Sequence, residues 1–443
     1  MVLIGTATLT GSRYGNLNQD FVVSAWERRV GGTGRGRNIP AMGVGAWEAN
    51  SMSMNCFLPG RCRSGLPEMS PAPITSHGLV HVRVHSGIRA SWSTCAPHPG
   101  LDSIPPRPDP ASHPLPFSPL SNPPPSPLQV VEQLLTARQM KALKLPQCYV
   151  AAVLDGHGML GEDASREAGR AIAASLRAAP ALHTRGLAAL SDAEVEALLG
   201  AAFQAGHKAA LGIAAHAPGV YTYPRGARGA QTYVLKSLDG GDKAYIDPHL
   251  GARILEYGTT ATVALVQGRA LALANVGDSL AVVGREEGGA YHVDLVSTRH
   301  YGADPGERAR LAAEVGDAVA VESEDGYISV REGRMRGYQL AMTRALGHRL
   351  LSKLGVSQAP SVVRRTLGPD DLCLILASDG VWEVFSPSEA VLTLCDHLAA
   401  GHSAPEAALD LVRTAVEVSD GTNVDIGADN TTAAVFVFDD LLD

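Results

Sequence analysis

Apolar and polar positions divide the chain into two patterned parts and one long unpatterned stretch. From residue 146 onward, short apolar runs alternate with amphipathic segments, and residues 1–28 also contain a strand-like run. Most of residues 29–145 show neither the helical nor the strand period, which is typical of a segment without a packed core. We therefore expect residues 1–28 and 146–443 to build one domain, with 29–145 as an insertion.

Several short apolar runs predict β-strands. Residues 259–284 predict a strand, a turn at Gln267-Gly268, a second strand and a third strand after Asp278. Further strands are predicted at 147–155, 371–380 and 431–440. Because many strands follow one another without an intervening helix, we expect an α+β fold with largely antiparallel sheets and helices segregated outside them.

Helical periodicity and capping residues predict the main helices. The segment at 162–179 carries one apolar face, and three later segments begin with a capping pattern. In each of these three, a serine stands three residues before a glutamate: Ser191 with Glu194, Ser386 with Glu389, and Ser403 with Glu406. The Gly- and Tyr-rich stretch at about 217–256 has no clear pattern, and we expect a loop there.

Proline dominates the end of the insertion. Eleven of the 28 prolines lie between Leu101 and Val130, and proline both fixes φ and lacks a backbone donor. We predict a mostly disordered Gly/Pro-rich segment over 29–145, with polyproline II character near its end and a helical piece at 130–143. Its PxxP spacings suit an SH3-like partner, although the composition favours a solvated spacer.

Charge and composition limit the classes of partner and the cellular location that we expect for this chain. The chain has 443 residues, is 45% hydrophobic and carries a formal net charge of -8, so no basic surplus is available to meet nucleic acid or an anionic membrane. No apolar run reaches transmembrane length, no signal peptide is recognisable, and the six cysteines form no CxxC pair. We expect an intracellular monomer, in the cytoplasm, the nucleus or both, with reduced thiols.

Five aspartates stand beside apolar strands or tight turns, and several adjoin a glycine. They are Asp20, Asp155, Asp278, Asp379 and Asp429. Any one of them is more often structural than functional, since Asp-Gly is primarily a turn signal. Together at the edge of an apolar core, however, unpaired carboxylates would repel each other and lose hydration. A hard divalent cation relieves both costs, and oxygen-only ligation favours Mg²⁺ or Mn²⁺ over zinc.

These acids lie within segments that resemble the successive motifs of a known family. In order, "GNLNQDFVV", "VLDGHG", "GTTATVALV", "ANVGDSLAVV", "LAMTRALG", "LILASDGVWEVFSPSEAV" and "DNTTAAVFVF" resemble motifs of the metal-dependent Ser/Thr protein phosphatases of the 2C type, the PPM family. The resemblance covers roughly residues 5–28 and 146–438. It implies a four-layer α-β-β-α sandwich, in which helices flank two central antiparallel β-sheets and a dinuclear metal site lies at one end.

The resemblance also implies a role for each site residue. Two Mg²⁺ or Mn²⁺ ions, with a weaker third, would activate a water that attacks phosphoserine or phosphothreonine in a phosphoprotein substrate. His157 corresponds to the histidine that protonates the leaving group, and Asp155 to the acid that bridges both metals. The implied metal ligands are Asp20, Asp155, the carbonyl of Gly156, Asp278, Asp379, Glu383 and Asp429, of which Asp278 and Glu383 would serve the third metal.

Some positions depart from the family pattern. Gly15 stands where a phosphate-seating basic residue is usual, Leu280 where arginine is usual and His348 where an acid is usual, while Arg299 precedes His300 where an aspartate is common. These departures keep a second hypothesis open, a catalytically impaired pseudophosphatase that acts as a binding or regulatory module. A third is a metal hydrolase acting on a small phosphate ester, because function resides in the site and not in the fold.

Four residues near these motifs have structural interpretations. We predict that Arg344 forms an ion pair and that Trp382, Cys373 and Cys395 pack in the core.

Overall fold

The structure is a computed structural model that describes residues 2–10, 20–25, 147–224, 230–238, 241, 243–249, 253–321, 326–422 and 427–438. The predicted insertion at 29–145 lies outside the described residues, as does Gly15, so the domain division stays a prediction. None of the helices in the described part of the chain combines the length and the apolarity that a membrane-spanning helix needs.

The described residues form nineteen strands and seven α-helices, numbered in chain order. The strands are β1 (Val2–Leu9), β2 (Asp20–Ala25), β3 (Cys148–Gly158), β4 (Val220–Pro224), β5 (Ala230–Ser237), β6 (Lys243–Asp247), β7 (Arg253–Leu255), β8 (Tyr257–Thr259), β9 (Ala261–Gln267), β10 (Ala270–Val276), β11 (Leu280–Glu287), β12 (Ala290–Val296), β13 (Val319–Val321), β14 (Ile328–Val330), β15 (Gln339–Leu340), β16 (Leu346–Gly347), β17 (Ser361–Thr366), β18 (Asp371–Ala377) and β19 (Thr431–Phe438). The helices are α1 (Gly161–Arg177), α2 (Pro180–Thr184), α3 (Asp192–Gly212), α4 (Pro305–Val315), α5 (Asp379–Trp382), α6 (Pro387–Ala399) and α7 (Ala404–Thr422).

Two antiparallel sheets form the centre of the molecule. Sheet I has the strand order β1-β19-β18-β11-β12, and sheet II has the order β16-β8-β3-β9-β10-β17 with β2 added beside β3. Within sheet II, β8 and β9 pair with β3 in the same register, and Thr260 interrupts the strand between them. This interruption lies opposite Asp155 and matters for the site described below.

Strand alternation builds the layers, because successive side chains of a strand point to opposite faces. On β3, Ala151 and Val153 enter the cluster between the two sheets, whereas Ala152 and Leu154 enter a second cluster beneath α1 and α3. On the outer face of sheet I, a third cluster joins β18 and β19 to α6 and α7. Three apolar interfaces therefore separate four layers, and the predicted α-β-β-α sandwich is confirmed.

The capping patterns also hold in the structure. Ser191 and Glu194 form a reciprocal capping box at the start of α3, and Ser386 and Glu389 form another at the start of α6. Just before α7, the N–H and the hydroxyl of Ser403 both donate to the carboxylate of Glu406. Because these contacts are local, sequence spacing alone was sufficient to predict where the helices begin.

The prediction of a loop at about 217–256 was wrong. This stretch contains a four-stranded antiparallel sheet, β4-β5-β6-β7, whose strands β6 and β7 bury Ala244, Tyr245 and Ile254. Tyr245 donates a hydrogen bond to the carbonyl of Pro218, an interaction that no local pattern specifies. The predicted turn after β9 also shifts by one residue, to Gly268-Arg269.

Candidate metal centre

Asp155 is held at the point where β8 becomes β9. Its backbone N–H donates to the Thr260 hydroxyl at 3.0 Å, and its carbonyl accepts from the Thr260 N–H at 2.8 Å and the Thr259 hydroxyl at 2.9 Å. The Thr260 hydroxyl also contacts that of Ser279 at 2.7 Å. Two adjacent threonines therefore fix the backbone of Asp155 and connect it to the turn that carries Asp278.

Asp379 begins α5, two residues after the end of β18, and is packed closely against the segment that carries Asp429. Ser378 donates its N–H to the carbonyl of Thr432, and its hydroxyl accepts from the Thr432 N–H at 3.0 Å. At Gly380, an added Cβ would lie 2.5 Å from the carbonyl oxygen of Asn430, so a glycine is required for this approach. The two chain segments therefore meet backbone to backbone, which places both acids at the same end of sheet I.

The carboxyl groups converge from both sheets. The Asp379 carboxyl hydrogen-bonds with that of Asp155 and lies within electrostatic range of Asp278, Asp429 and Glu383. Burial, followed by the charges of Asp278 and Asp429, raises the pKa of Asp379 well above its usual value. Burial also raises the pKa of Asp278, although the positive charge of Arg299 opposes the shift. The cluster is thus an unfavourable gathering of like charges when no cation is present.

The donor set fits a hard divalent cation. One oxygen of Asp278 and one of Asp379 are buried and have no hydrogen-bond partner among the described residues. Such orphaned carboxylate oxygens are costly to bury, and every side chain of the cluster offers oxygen, as Mg²⁺ and Mn²⁺ prefer. The residues present are therefore suited to bind these metals.

The other predicted ligands have backbone positions close to Asp155 or Asp379. Gly156 is buried on β3 opposite Thr259, next to Asp155. Glu383 lies one helical turn after Asp379, with its N–H bonded to the Asp379 carbonyl, and it is exposed. Asp20 pairs with Asp155 in the register of β2 and β3, while its side chain is not among the described ones. Their metal-binding roles stay predictions.

His157 contacts another histidine rather than an acid. Its Nε2 lies 2.5 Å from the Nε2 of His348, and the two rings stack with centroids 4.7 Å apart and an interplanar angle of 25°. Burial lowers the pKa of His157 to about 4, and burial together with His157 and His207 lowers that of His348. Both rings are therefore neutral near pH 7, so one Nε2 donates a hydrogen and the other accepts it.

The backbone around His348 is specialised for this contact. His348 adopts a positive φ of 53°, which non-glycine residues seldom do. A Cβ on Gly258 would lie 2.4 Å from the His348 ring, so a glycine at that position makes room for the imidazole. At position 348, where the family usually has an acidic residue, this chain therefore has a neutral imidazole that faces His157, the candidate proton donor.

Sequence reasoning missed some contributors to the site. The threonine pair Thr259-Thr260 was read only as the start of a strand, although its hydroxyls orient Asp155 and Ser279. The sequence did contain a signal for this role, because two β-branched polar residues stand at the start of an otherwise apolar run. Arg344 was correctly predicted to be structural, since it forms an ion pair with the buried Glu307. Cys373 and Cys395 are buried as predicted, and Trp382 packs against the same cluster.

Comparison with known proteins points to one family. Residues 238–424 match the family model of protein phosphatase 2C, a range that includes Asp278, Asp379 and Glu383. The chain is 37% identical over 139 residues to "Probable protein phosphatase 2C 12" of Oryza sativa subsp. japonica, covering 31% of this chain and 36% of that protein. It is 35% identical over 152 residues to "Probable protein phosphatase 2C 61" of Arabidopsis thaliana, covering 34% of this chain and 47% of that protein. The chain spans less than half the length of these two relatives.

Among solved structures, the serine-threonine phosphatase 2C from Toxoplasma gondii is similar to this chain. The alignment covers 66% of this chain and 85% of that one, with a TM-score of 0.48 and 20% sequence identity. The α-β-β-α assignment rests on the sheets and layers of this chain and not on that alignment.

Proposed function

We propose that this chain is a member of the protein phosphatase 2C family and hydrolyses phosphoserine and phosphothreonine in proteins with the help of divalent metals. The observation that carries the proposal is the convergence of Asp155, Asp278, Asp379 and Asp429 at one end of the sandwich. Four clustered carboxylates, two of which bury an orphaned oxygen, make sense energetically if cations neutralise them.

Asp155, Asp379 and Asp429 would hold the main metals, with Gly156 and Asp20 completing the shell and Asp278 and Glu383 serving a weaker third ion. When bound, two Mg²⁺ or Mn²⁺ ions supply Lewis acidity and lower the pKa of a coordinated water. The remaining contribution is positional. Thr260 fixes Asp155, and Gly380 lets Asp379 approach Asp429, so the carboxylates are oriented before any ligand arrives.

We assign protonation of the leaving alkoxide to His157. When His348 donates its Nε2–H to the Nε2 of His157, the Nδ1 of His157 carries the ring hydrogen. That Nδ1 has no hydrogen-bond partner of good geometry among the described residues, although a hydrogen bond to the backbone of Asp155 opposes the lowering of the His157 pKa. In this arrangement the neutral His157 offers its Nδ1–H as a hydrogen-bond donor to the leaving oxygen, and full protonation of the alkoxide draws on the small imidazolium population that a pKa of about 4 leaves.

A second candidate function is a pseudophosphatase that binds phosphoproteins without turnover. The observation that favours it is the His157–His348 pair, because the pKa of about 4 leaves little imidazolium at neutral pH. The complete carboxylate cluster argues against it. In either case the partners are phosphoproteins, while the monomeric state, the intracellular location and an SH3-like partner for residues 29–145 stay predictions from the sequence.

Phosphate release distinguishes these functions. The purified full chain is incubated with a phosphothreonine peptide or with p-nitrophenyl phosphate, in Mn²⁺ or in EDTA. We expect phosphate release from the peptide only with metal, and none from Asp379→Ala. Release that survives EDTA, or that persists in Asp379→Ala, rejects the metal-dependent mechanism. Metal binding without turnover supports the pseudophosphatase, and turnover of p-nitrophenyl phosphate alone supports a small-ester hydrolase.

A further inference from the structure

A second cluster of metal-ligating side chains lies in the outer helical layer, where α6 turns into α7. His397 occupies the last turn of α6, His402 lies in the connection, and Asp410 lies on α7. One ligand atom from each of the three lies within 4.8 Å of the others. These residues lie on helices that cover sheet I, and none belongs to the carboxylate centre described above.

The contacts inside this cluster have the dimensions of a metal site. The Nδ1 atoms of His397 and His402 each lie 3.1 Å from the same carboxylate oxygen, Oδ2 of Asp410. In a tetrahedral zinc site with ligand bonds of about 2.0–2.1 Å, neighbouring ligand atoms are about 3.3 Å apart. The two histidine-to-carboxylate distances are therefore close to those of a zinc site, and all three ligand atoms lie within 4.8 Å of one another.

The local backbone and charge hold the three ligands in place. The N–H of His402 donates to the carbonyl of His397 at 3.1 Å, which closes the end of α6 and sets the second imidazole beside the first. The two rings are nearly perpendicular, with centroids 5.1 Å apart, so both can direct Nδ1 toward one point. Arg413 donates to Oδ1 of Asp410 at 2.9 Å and leaves Oδ2 for the histidines.

The ionisation states suit cation binding. Desolvation alone would raise the pKa of Asp410, but the hydrogen bond and charge of His397, with further contributions from Arg413 and His402, lower it. Asp410 is therefore an anion at neutral pH. The side chains of His397 and His402 are 31% and 44% exposed, so solvent and ions reach the cluster directly.

We propose that His397, His402 and Asp410 form a zinc site that clips α6 to α7. Imidazole nitrogen favours Zn²⁺ over Mg²⁺, which distinguishes this site from the all-oxygen centre. In the bound form each ring carries its hydrogen on the outer Nε2, and Nδ1 is free to bind the metal. With three protein ligands, the fourth position takes water. The site's role is to stabilise the helical hairpin that packs on sheet I.

The test uses the full chain, stripped of metal by chelation and then held in millimolar Mg²⁺ to compete for the oxygen-lined centre. Co²⁺, a spectroscopic substitute for zinc, should give the intense visible absorption of four-coordinate cobalt. Calorimetric titration with Zn²⁺ should detect one equivalent that Mg²⁺ does not displace. Zinc at about a hundredfold excess over its Kd should raise the Tm by about 5 °C.

Three ligand variants and two controls locate the site. His397→Ala, His402→Ala and Asp410→Asn should lose the cobalt absorption and bind zinc at least about tenfold more weakly. Asp396→Asn removes an exposed charge from the same helix, and His292→Ala removes an exposed histidine from β12, so both should behave like the unmodified chain. Circular dichroism verifies that each variant is folded.

Two results would overturn the proposal. One is zinc binding that is equal in the ligand variants and the unmodified chain, and the other is zinc that millimolar Mg²⁺ displaces completely. The three ligand variants should also keep their phosphatase activity with Mn²⁺. Zinc binding and activity are separate readouts, so a failure of the proposed catalytic function would leave the zinc result interpretable.

Discussion

The carboxyl groups of Asp155 and Asp379 hydrogen-bond with each other although they belong to opposite sheets of the sandwich. Asp155 lies near the end of β3 in sheet II, and Asp379 lies two residues after the end of β18 in sheet I. The contact therefore exists only when the two sheets pack face to face. It also concentrates negative charge where burial makes charge costly. This lowers the free energy of unfolding of the metal-free protein.

We predict that Asp379→Asn stabilises the metal-free chain at pH 7. The pKa of Asp379 is raised above its unfolded value of about 3.9, so the folded state binds more protons and its stability falls as pH rises from about 4 through the raised pKa. The variant lacks this titration. Urea unfolding in EDTA at pH 5 and pH 7 measures the effect, with the exposed Glu196→Gln as the control. A variant less stable than the parent at pH 7 would show that charge crowding does not limit the stability of the metal-free chain.

Gly380→Ala should move the carboxylate of Asp379 away from that of Asp429. The new Cβ would contact the Asn430 carbonyl and the Thr431 hydroxyl, so we expect a loss of about 1–3 kcal/mol of stability and weaker Mn²⁺ binding. Gly200→Ala on α3 is the matched control, because a Cβ at that position would meet no atom of the described residues within 4 Å. It should gain up to about 1 kcal/mol through helix propensity. Unchanged Mn²⁺ affinity in Gly380→Ala would argue against a role for this close approach.

Arg344→Gln should destabilise the fold by about 1–3 kcal/mol, because the buried carboxylate of Glu307 loses its bonds to Arg344 and keeps those to Arg310 and Thr343. Arg344 Nη2 donates to Glu307 at 2.6 Å, and the Glu307 side chain is only 5% exposed. Arg170→Gln, which breaks a surface pair with Glu167, is the control and should change stability by less than about 1 kcal/mol. Thermal or urea unfolding at pH 7 compares the two variants.

The same ion pair predicts a dependence on acid. Burial alone would raise the pKa of Glu307, but hydrogen bonds from Arg344, Arg310 and Thr343 outweigh it and lower the pKa well below the usual value. The stabilisation is therefore complete above the unfolded pKa of about 4.3 and is lost as pH falls below it. The difference in stability between the parent and Arg344→Gln should shrink below about pH 4. A difference that stays constant down to pH 3 would contradict this origin.

His348→Asp should raise the pKa of His157 from about 4 toward or above the ordinary histidine value. A carboxylate near the ring favours the imidazolium, whereas the present neighbour is a second neutral imidazole. Aspartate also tolerates the positive φ at this position. Nuclear magnetic resonance of the His157 ring protons against pH measures the shift, and the exposed His292 provides an internal reference. An unchanged His157 titration would show that burial alone sets its pKa.

Local patterns were informative wherever the determining contact was local. The capping boxes at Ser191 and Ser386 connect residues three positions apart, and both were predicted from spacing. The sheet at β4-β5-β6-β7 was missed because its strands are stabilised by distant partners such as the carbonyl that holds Tyr245. Polar residues in these strands hide the alternation that identified β3 and β9.

The sequence by itself determined which residue types are available at strand ends: the lone aspartates, the adjacent glycines and the order of the motifs. It also determined the alternation that sends each central strand's side chains into two different layers. Only the tertiary structure decided that Asp155 faces Asp379 and that His157 stacks on His348. Those distances depend on how the two sheets pack and on the break between β8 and β9 at Thr260, and both are set by contacts between residues far apart in the chain.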